Sequence, residues 1–498
     1  MLAGLAAAGL AGLRWLRVAQ REHYLAGSVT RFAVRWWALG ANRLLLVAGL
    51  LGVLLAERAP LAGVVGSVAV ATGPFGLALR GRTAPLAWTR RLRTLAAIWV
   101  VLQVAMVGFG ASLGLAAPVA VLAAVAVPLL IDAALAIGAP LENRLAVPYV
   151  RRASARLHEV GPTIVGITGS YGKTSTKAYV THLVAATKQV VPTPRSFNNR
   201  AGLARAVNEQ LADGTEVFVA EMGTYGPGEI ADLVEWCPPS IAVITAIGPV
   251  HLERMRSEER IVEAKSEIVA RAHTAVLNVD DRWLGPLADR LASAGTTVRR
   301  CSAVDRRADV AVIRDAVLVG GSAIGRLPEG GAAAPTNVAC AVAVALDLGV
   351  PRAVVAERLL GLPTPENRLV VSSASGGFTI LDDTYNSNPA GAQAALRRLG
   401  RLARPGGRRV VVTPGMVELG VRQAAENGYF AALAAARVTH LVVVGHTNRP
   451  ALVAGARAAG GAEVVTVETR PQAAEWVRSH LHEGDVVLYE NDLPDHFP

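Results

Sequence analysis

The segment Gly166-Ile-Thr-Gly169-Ser170-Tyr-Gly172-Lys173-Thr174-Ser175-Thr176-Lys177 contains the residue types needed to hold a polyphosphate. Gly169 and Gly172 free a loop to wrap closely around an anion, and the backbone N–H groups of a helix starting there favour negative charge. Lys173 is then expected to reach the β- and γ-phosphates of ATP, and the Thr174 hydroxyl to take one coordination place on Mg²⁺. Position 167 is Ile, so the strict GxxxxGK[ST] spacing is not met. The strand before the loop and the helix after it still argue against a glycine-rich turn with an incidental lysine. Lysine usage sharpens this reading: only Lys173, Lys177, Lys188 and Lys265 occur, among 50 basic residues.

Three further groups follow later apolar runs. Glu221 stands in AEMGTYGPGE, His251 in ITAIGPVHLE and Lys265 in EAKSEI. Taken singly, such an acid or imidazole is more often a cap or a surface group than a ligand. Their shared position after strands of one presumed sheet makes a common site the better reading. Asp382-Asp383 in LDDTYNSNP opens a second series of strands, where the carboxylates could bind a ribose or a metal, or simply begin a helix at Pro389.

The elements that must position these groups alternate apolar strands with amphipathic helices from about residue 157, the pattern of an α/β domain. Strands are predicted at 163–168, 216–220, 241–247 and 275–279, then at 378–382, 409–413, 440–444, 463–467 and 485–489. The carboxyl edge of such a parallel sheet is where ligands bind. Gly361, Pro363 and Pro365 suggest a boundary near 362. The expected division is 1–156, 157–362 and 363–498.

Charge separates the first part from the rest. The 498 residues have a net charge of +11 and are 52% hydrophobic. Residues 1–150 hold 13 Arg, no Lys and four acids, whereas the remainder is nearly balanced. A nearly neutral bulk has no footprint for a phosphate backbone, so nucleic acid is not an expected partner. Apolar stretches at 1–13, 44–56, 61–79, 94–114 and 117–138 predict an α-helical membrane region of four to five helices. The last three are long enough to span a bilayer. Arginines at 14–43 and 80–93 place those loops, and everything after 138, on the cytoplasmic side of the cell membrane. The first helix lacks a basic region before its apolar run, so it is expected to be uncleaved with its N-terminus outside. Trp15, Trp36, Trp37 and Trp88 are expected at the membrane interface. Residues 28–38 read equally well as a helix lying in that interface and as an ordinary connecting helix. Asp132, an acid within an apolar span, is either functional or close enough to the headgroups to reach them.

Taken in order, the motifs TGSYGKTSTK, SFNNRAG, EMGTYGPGEI, ITAIGPVHLE, AKSEI, LNVDD, TNVACAVAVAL and DDTYNSNP resemble those of the Mur ligases, most closely the MurF type. The resemblance covers about 160–425. It implies a P-loop Mur-type central ATPase domain, a C-terminal Rossmann-like α/β domain, and an ATP-dependent ligase that forms a C–N bond through an acyl phosphate. It implies that Gly169, Ser170, Gly172, Lys173, Thr174 and Ser175 cradle ATP, that Asn337 contacts adenine, and that Arg368 and Asp383 reach the nucleotide from the C-terminal domain. Thr174, Glu221, His251 and Lys265 are the implied metal-site residues. Lys173, His251 and Lys265 are the catalytic candidates, and Asn198 and Asn199 the substrate candidates. Lys265 matches a lysine that is carbamylated in several family members.

Two family patterns are altered. The one resembling GDMxELG reads Pro414-Gly-Met-Val-Glu-Leu-Gly420, without its Asp, and the one resembling VLxKGSR reads Val487-Leu-Tyr-Glu-Asn-Asp-Leu493, without its Lys. The soluble UDP-binding domain usual at the start is replaced by the apolar region. The expected carboxylate substrate is therefore a lipid-linked envelope precursor of the peptidoglycan type, and the expected amine an amino acid or dipeptide. A poly-γ-glutamate-type synthase and an ATP-driven transporter are the competing readings. The absence of an LSGGQ-like signature weighs against the transporter. Cys237, Cys301 and Cys340 are too dispersed for a disulfide framework or a zinc site.

Overall fold

The computed structural model describes all residues except 80–84, 195–196, 329–332, 364–368 and 385–387. The chain divides into two compact units, one made of residues 1–147 with 493–498 and the other of residues 148–492.

Among the described residues, the first unit contains the helices α1 (Leu2–Arg21), α2 (Ser28–Trp37), α3 (Gly40–Leu55), α4 (Pro60–Thr72), α5 (Arg90–Ser112) and α6 (Ala116–Val125), and α7 (Val127–Val160) runs from it into the second. Among the described residues, α1 and α5 are long and apolar enough to cross a membrane. The pairs α2/α3 and α6/α7 reach that length only if each is counted as one span, and they bend by 107° and 72°. The stretch predicted at 61–79 is a shorter apolar helix, α4, and the one at 117–138 falls on the bent pair α6/α7. The first stops at Thr72 because Gly73-Pro74 cannot continue a helix. The second breaks at Ala126, with Pro128 in the first turn of α7, where a missing N–H is tolerated. Conversely, the run expected to end at 13 continues to Arg21 because its arginines find partners. Arg14 Nη1 donates to Gly73 O at 3.1 Å, and Arg17 pairs with Asp495 at 3.0 Å.

Trp15 and Trp36 are buried within the unit instead of lying at its surface, whereas Trp88 is exposed. On α2, Val29, Phe32, Ala33 and Trp36 form one buried face. Much of its cover comes from the segment 493–498. The Phe32 ring lies 4.8 Å from the rings of both His496 and Phe497, and Trp36 Nε1 donates to the His496 carbonyl at 2.8 Å. His496 Nε2 also meets Glu22 Oε1 at 3.0 Å. Asp132 has a structural role here: its carboxylate accepts from the Val29 and Thr30 N–H groups at 3.3 and 2.7 Å, capping α2 from another helix. Elsewhere large apolar side chains face outward, among them Leu44, Leu54, Leu61, Val101 and Phe109.

The second unit holds two sheets. The larger contains β1 (Thr163–Thr168), β2 (Val190–Pro192), β3 (Val217–Glu221), β4 (Ile241–Ile244), β5 (Thr274–Asn278), β6 (Thr297–Ser302), β7 (Val310–Ile313), β8 (Ala316–Val319) and β9 (Ser322–Arg326). Its order is β2-β3-β1-β4-β5-β6-β7-β8-β9, parallel as far as β7 and antiparallel beyond it. Side chains alternate between two apolar cores, Phe218, Ile244 and Leu277 in one and Val165, Ile167, Val219 and Val243 in the other. A parallel sheet covered on both faces needs such runs of apolar residues. The smaller sheet contains β10 (Val370–Ser373), β11 (Thr379–Asp383), β12 (Arg409–Thr413), β13 (His440–Val444), β14 (Glu463–Val467) and β15 (Val486–Glu490). Its order is β10-β11-β15-β12-β13-β14, with only β10 antiparallel. All nine predicted strands are present within a few residues; β2, β6 to β9 and β10 are additional.

Arg17 is 1% exposed, so removing its acidic partner leaves a buried charge uncompensated. Asp495→Ala is expected to destabilise the helical unit by about 3–5 kcal/mol, read as a lowered denaturation midpoint from tryptophan fluorescence. An unchanged midpoint would show that Arg17 finds another counter-ion.

Candidate functional site

The loop between β1 and the helix α8 (Lys173–Val184) sits at the carboxyl edge of the large sheet. Gly172, with φ of 81°, is the residue before α8, and a Cβ there would come within 2.5 Å of Asn337 Oδ1. Only glycine fits, because both the backbone conformation and the approach of Asn337 exclude a side chain. Asn337 itself lies on the helix Pro335–Asp347, which packs against α8, so the structure brings this sequence-predicted residue to the loop. Ser170 is placed differently from a free phosphate contact. Its N–H donates to Ala246 O at 2.7 Å and its hydroxyl to Gly248 O at 3.1 Å, which staples the loop to the segment following β4. Ser175 is buried in the first turn of α8.

Lys173 Nζ donates to Gly169 O at 2.7 Å, so its ammonium lies over the loop. One residue on, the Thr174 hydroxyl donates to Glu221 Oε2 at 3.1 Å, at the end of the neighbouring strand β3. Glu221 is 4% exposed. Burial alone would raise its pKa, but Lys177 and then Lys173 outweigh this and hold the carboxyl below its ordinary value of 4.5. Lys177 Nζ is 3.0 Å from Glu221 Oε2, and Asn198 Nδ2 donates to Oε1 at 3.4 Å. The Glu221 N–H in turn donates to Thr193 Oγ1 at 3.1 Å. Lys177 is a site residue to which the sequence reading gave no role. Its signal was present: it is one of four lysines and stands one helical turn beyond Lys173, on the same face.

Two predicted substrate contacts separate. Asn198 faces Glu221, whereas the Asn199 side chain accepts from Gly202 N at 2.9 Å and caps the helix Arg200–Gln210. Lys265, on the helix Glu258–Ser266, is 2% exposed. Burial, reinforced by the nearby Lys173 charge, pushes its ammonium well below the ordinary lysine value, so the neutral amine is favoured. His251 lies at a positive φ of 58° just before the helix Leu252–Met255, and its Nδ1 meets the Glu418 carboxylate. Burial lowers the His251 pKa despite that contact, which acts in the opposite direction.

In the smaller sheet, Asp383 ends β11 in register with Glu490 at the end of β15. Glu490 is fully buried and accepts from Thr413 Oγ1 at 2.6 Å. Burial, with Asp383 nearby, pushes its pKa up to about 8 despite that hydrogen bond. This acid stands where the family pattern has lysine, so the altered motif has exchanged a cation for a carboxyl group that is largely neutral at pH 7. Arg368 lies outside the described residues.

Among the described residues, no three His, Cys, Asp or Glu side chains come close enough together to hold a metal ion. The Thr174 hydroxyl and the ionised Glu221 nevertheless form the hard-oxygen pair that suits Mg²⁺, a cation that usually keeps several waters and takes its other ligands from phosphates. What the site offers is therefore a glycine loop at a helix start, a lysine over it and a charge-compensated carboxylate beside it.

Residues 167–320 match the family described as Mur ligase middle domain, and residues 367–489 match the Mur ligase glutamate ligase domain. The UDP-N-acetylmuramoyl-tripeptide–D-alanyl-D-alanine ligase of Mycobacterium tuberculosis is 34% identical over 365 residues, covering 67% of this chain and 71% of that protein. The chain belongs to the Mur ligase family. It is accordingly an ATP-dependent ligase that forms amide bonds. The Bacillus subtilis protein of the same name is 30% identical over 275 residues, covering 54% of this chain and 59% of its own. Two solved structures share the fold. MurF from Acinetobacter baumannii superposes with a TM-score of 0.61 at 23% identity, covering 70% of this chain and 77% of its own. MurF from Thermotoga maritima in complex with ADP gives 0.58 at 24%, covering 70% and 80%.

Two outcomes check this geometry. Gly172→Ala, forcing a Cβ against Asn337, is expected to weaken ATP binding at least tenfold, about 1.4 kcal/mol, in a calorimetric titration. Glu221 contributes stability that is present above pH 4.5 and lost as pH falls through its lower folded value. Glu221→Gln should therefore flatten the acid limb of the stability profile between those two values, as measured by denaturation midpoints across pH.

Proposed function

We propose that this Mur ligase is anchored in a membrane and joins an amino acid or dipeptide to the carboxylate of a lipid-linked peptidoglycan-type precursor on the cytoplasmic side. The observation that carries the ligase chemistry is the Lys173, Thr174, Glu221 and Lys177 cluster at the sheet edge. D-Alanyl-D-alanine is the first candidate for the amine, because the M. tuberculosis relative is named for it. The membrane part of the reading rests on helices α1 and α5 and on the outward apolar side chains of the helical unit.

In the proposed reaction a substrate carboxylate oxygen attacks the γ-phosphorus of ATP and ADP leaves. The amine nitrogen then attacks the acyl carbon, inorganic phosphate departs and the nitrogen loses a proton. Two anions must first approach each other, so positive charge has to be supplied at that point. Lys173 and the N–H groups at the start of α8 answer that need on the protein's side, and Glu221 and Thr174 are the residues that would hold Mg²⁺. The metal, when bound, draws charge from the phosphate oxygens. Lys177 keeps Glu221 ionised. Lys265, buried and inclined to the neutral amine, has the form that adds CO₂ to give a carbamate, as the family resemblance implies.

Phosphate release by the purified full chain is expected to require both a carboxylate precursor and an amine, with a lipid-linked precursor preferred over a soluble UDP-linked one. Equal use of the two precursors would remove the membrane-linked substrate from this reading, and release without any amine would point to a pump. Lys173→Ala should lower product formation by about 100-fold or more. With ¹³C-bicarbonate, a carbamate resonance is expected in the parent protein and not in Lys265→Ala.

A further inference from the structure

His251 and Glu418 come from different parts of the ligase unit, His251 from the segment matching the middle domain and Glu418 from the segment matching the glutamate ligase domain. Their contact is part of a larger seam. The Glu253 N–H donates to Glu418 O at 3.4 Å, and Arg254 Nη2 lies 3.8 Å from Glu418 Oε1. At Gly420 a Cβ would stand 3.1 Å from Glu253 N, so the two backbones run together there. Arg422, two residues beyond Gly420, pairs with Glu258 at the start of the helix Glu258–Ser266. On the other side of His251, the Tyr225 ring meets the imidazole edge-on at 4.8 Å, and the Arg254 guanidinium covers Tyr225 at 4.6 Å.

Both partners adopt a backbone conformation that side chains other than glycine rarely take, with φ of 58° at His251 and 64° at Glu418. Each such residue costs about 1–3 kcal/mol and persists only where its surroundings impose it. Strain on both sides of one contact indicates that this contact is what the two loops are shaped to make. A carboxylate on Nδ1 takes the imidazole N–H and leaves Nε2 as the lone-pair nitrogen. Outer partners of this kind fix the orientation and tautomer of a functional histidine.

We infer that Glu418 is a positioning residue for His251: by accepting the Nδ1 proton across the seam it sets the imidazole's tautomer and direction, so that His251 is competent only when the C-terminal part is seated on the middle domain. This gives the ELG portion of the altered Pro414–Gly420 motif a task independent of the missing aspartate. It rests on the reading of His251 as a group of the reaction centre, but not on which carboxylate or amine is used.

The test uses Glu418→Ala, which removes the acceptor, and Glu418→Asp, which returns a carboxylate on a shorter stem. In the full-length protein without nucleotide, ¹⁵N NMR of the histidine side chains, with His251 assigned by difference against His251→Asn, is expected to show the Nδ1–H form in the parent, its loss in Glu418→Ala and partial return in Glu418→Asp. The kcat is expected to fall at least tenfold in Glu418→Ala with the KM for ATP within twofold, and to recover partly in Glu418→Asp. An unchanged His251 signature in Glu418→Ala overturns the inference, as does a kcat within twofold of the parent. If the alanine variant does not fold, Glu418→Asp decides alone: a lowered kcat with a mixed His251 tautomer supports the inference, and parent values for either overturn it.

Discussion

A buried carboxylate that must remain ionised organises the ligase unit. Glu221, almost closed off from solvent, is tolerable there only because Lys177 and Lys173 reach it from the first turns of α8. That requirement fixes the helix start against the end of β3, which places the glycine loop at the sheet's carboxyl edge. It also places the Thr174 hydroxyl on the carboxylate. An arginine at 173 or 177 would carry the charge on a broader, planar head, whereas the compact ammonium of lysine fits beside a single carboxylate oxygen.

Much of this was legible in the sequence. The central strands are apolar runs because both faces of the sheet are covered, and the glycine loop follows one of them directly. What escaped detection had mixed signals. The strand β6 carries Arg299 and Arg300, which read as polar surface until Asp347 and Asp289 are seen to receive them. Asn199 looked like its neighbour Asn198 because a helix cap and a site contact use the same side chain. Ser170 belongs to a phosphate-type loop by position, yet its hydroxyl is committed to the Gly248 backbone. The largest discrepancies lie in the helical unit, where length and apolarity gave spans and proline gave the breaks. The half-buried Arg14 and the buried Arg17 depend on partners far away in sequence, which no local pattern reveals.

The altered motifs of the C-terminal part change charge without disturbing the strands that carry them. Glu490 replaces the family's lysine at a fully buried position, and the hydroxyl of Thr413 supplies its hydrogen bond. A neutral carboxyl group can occupy such a site at far lower cost than an unpaired anion. The exchange therefore leaves the fold intact while changing the charge that the end of β15 carries.

The segment 493–498 belongs to the helical unit, although every residue of the ligase unit precedes it in the chain. The order of synthesis then matters. The helices emerge from the ribosome first, but the counter-ion of Arg17, the hydrogen-bond acceptor of Trp36 and the aromatic cover of Phe32 emerge only after the whole ligase has been made. Until then the helical unit waits with a bare cation and an open apolar face.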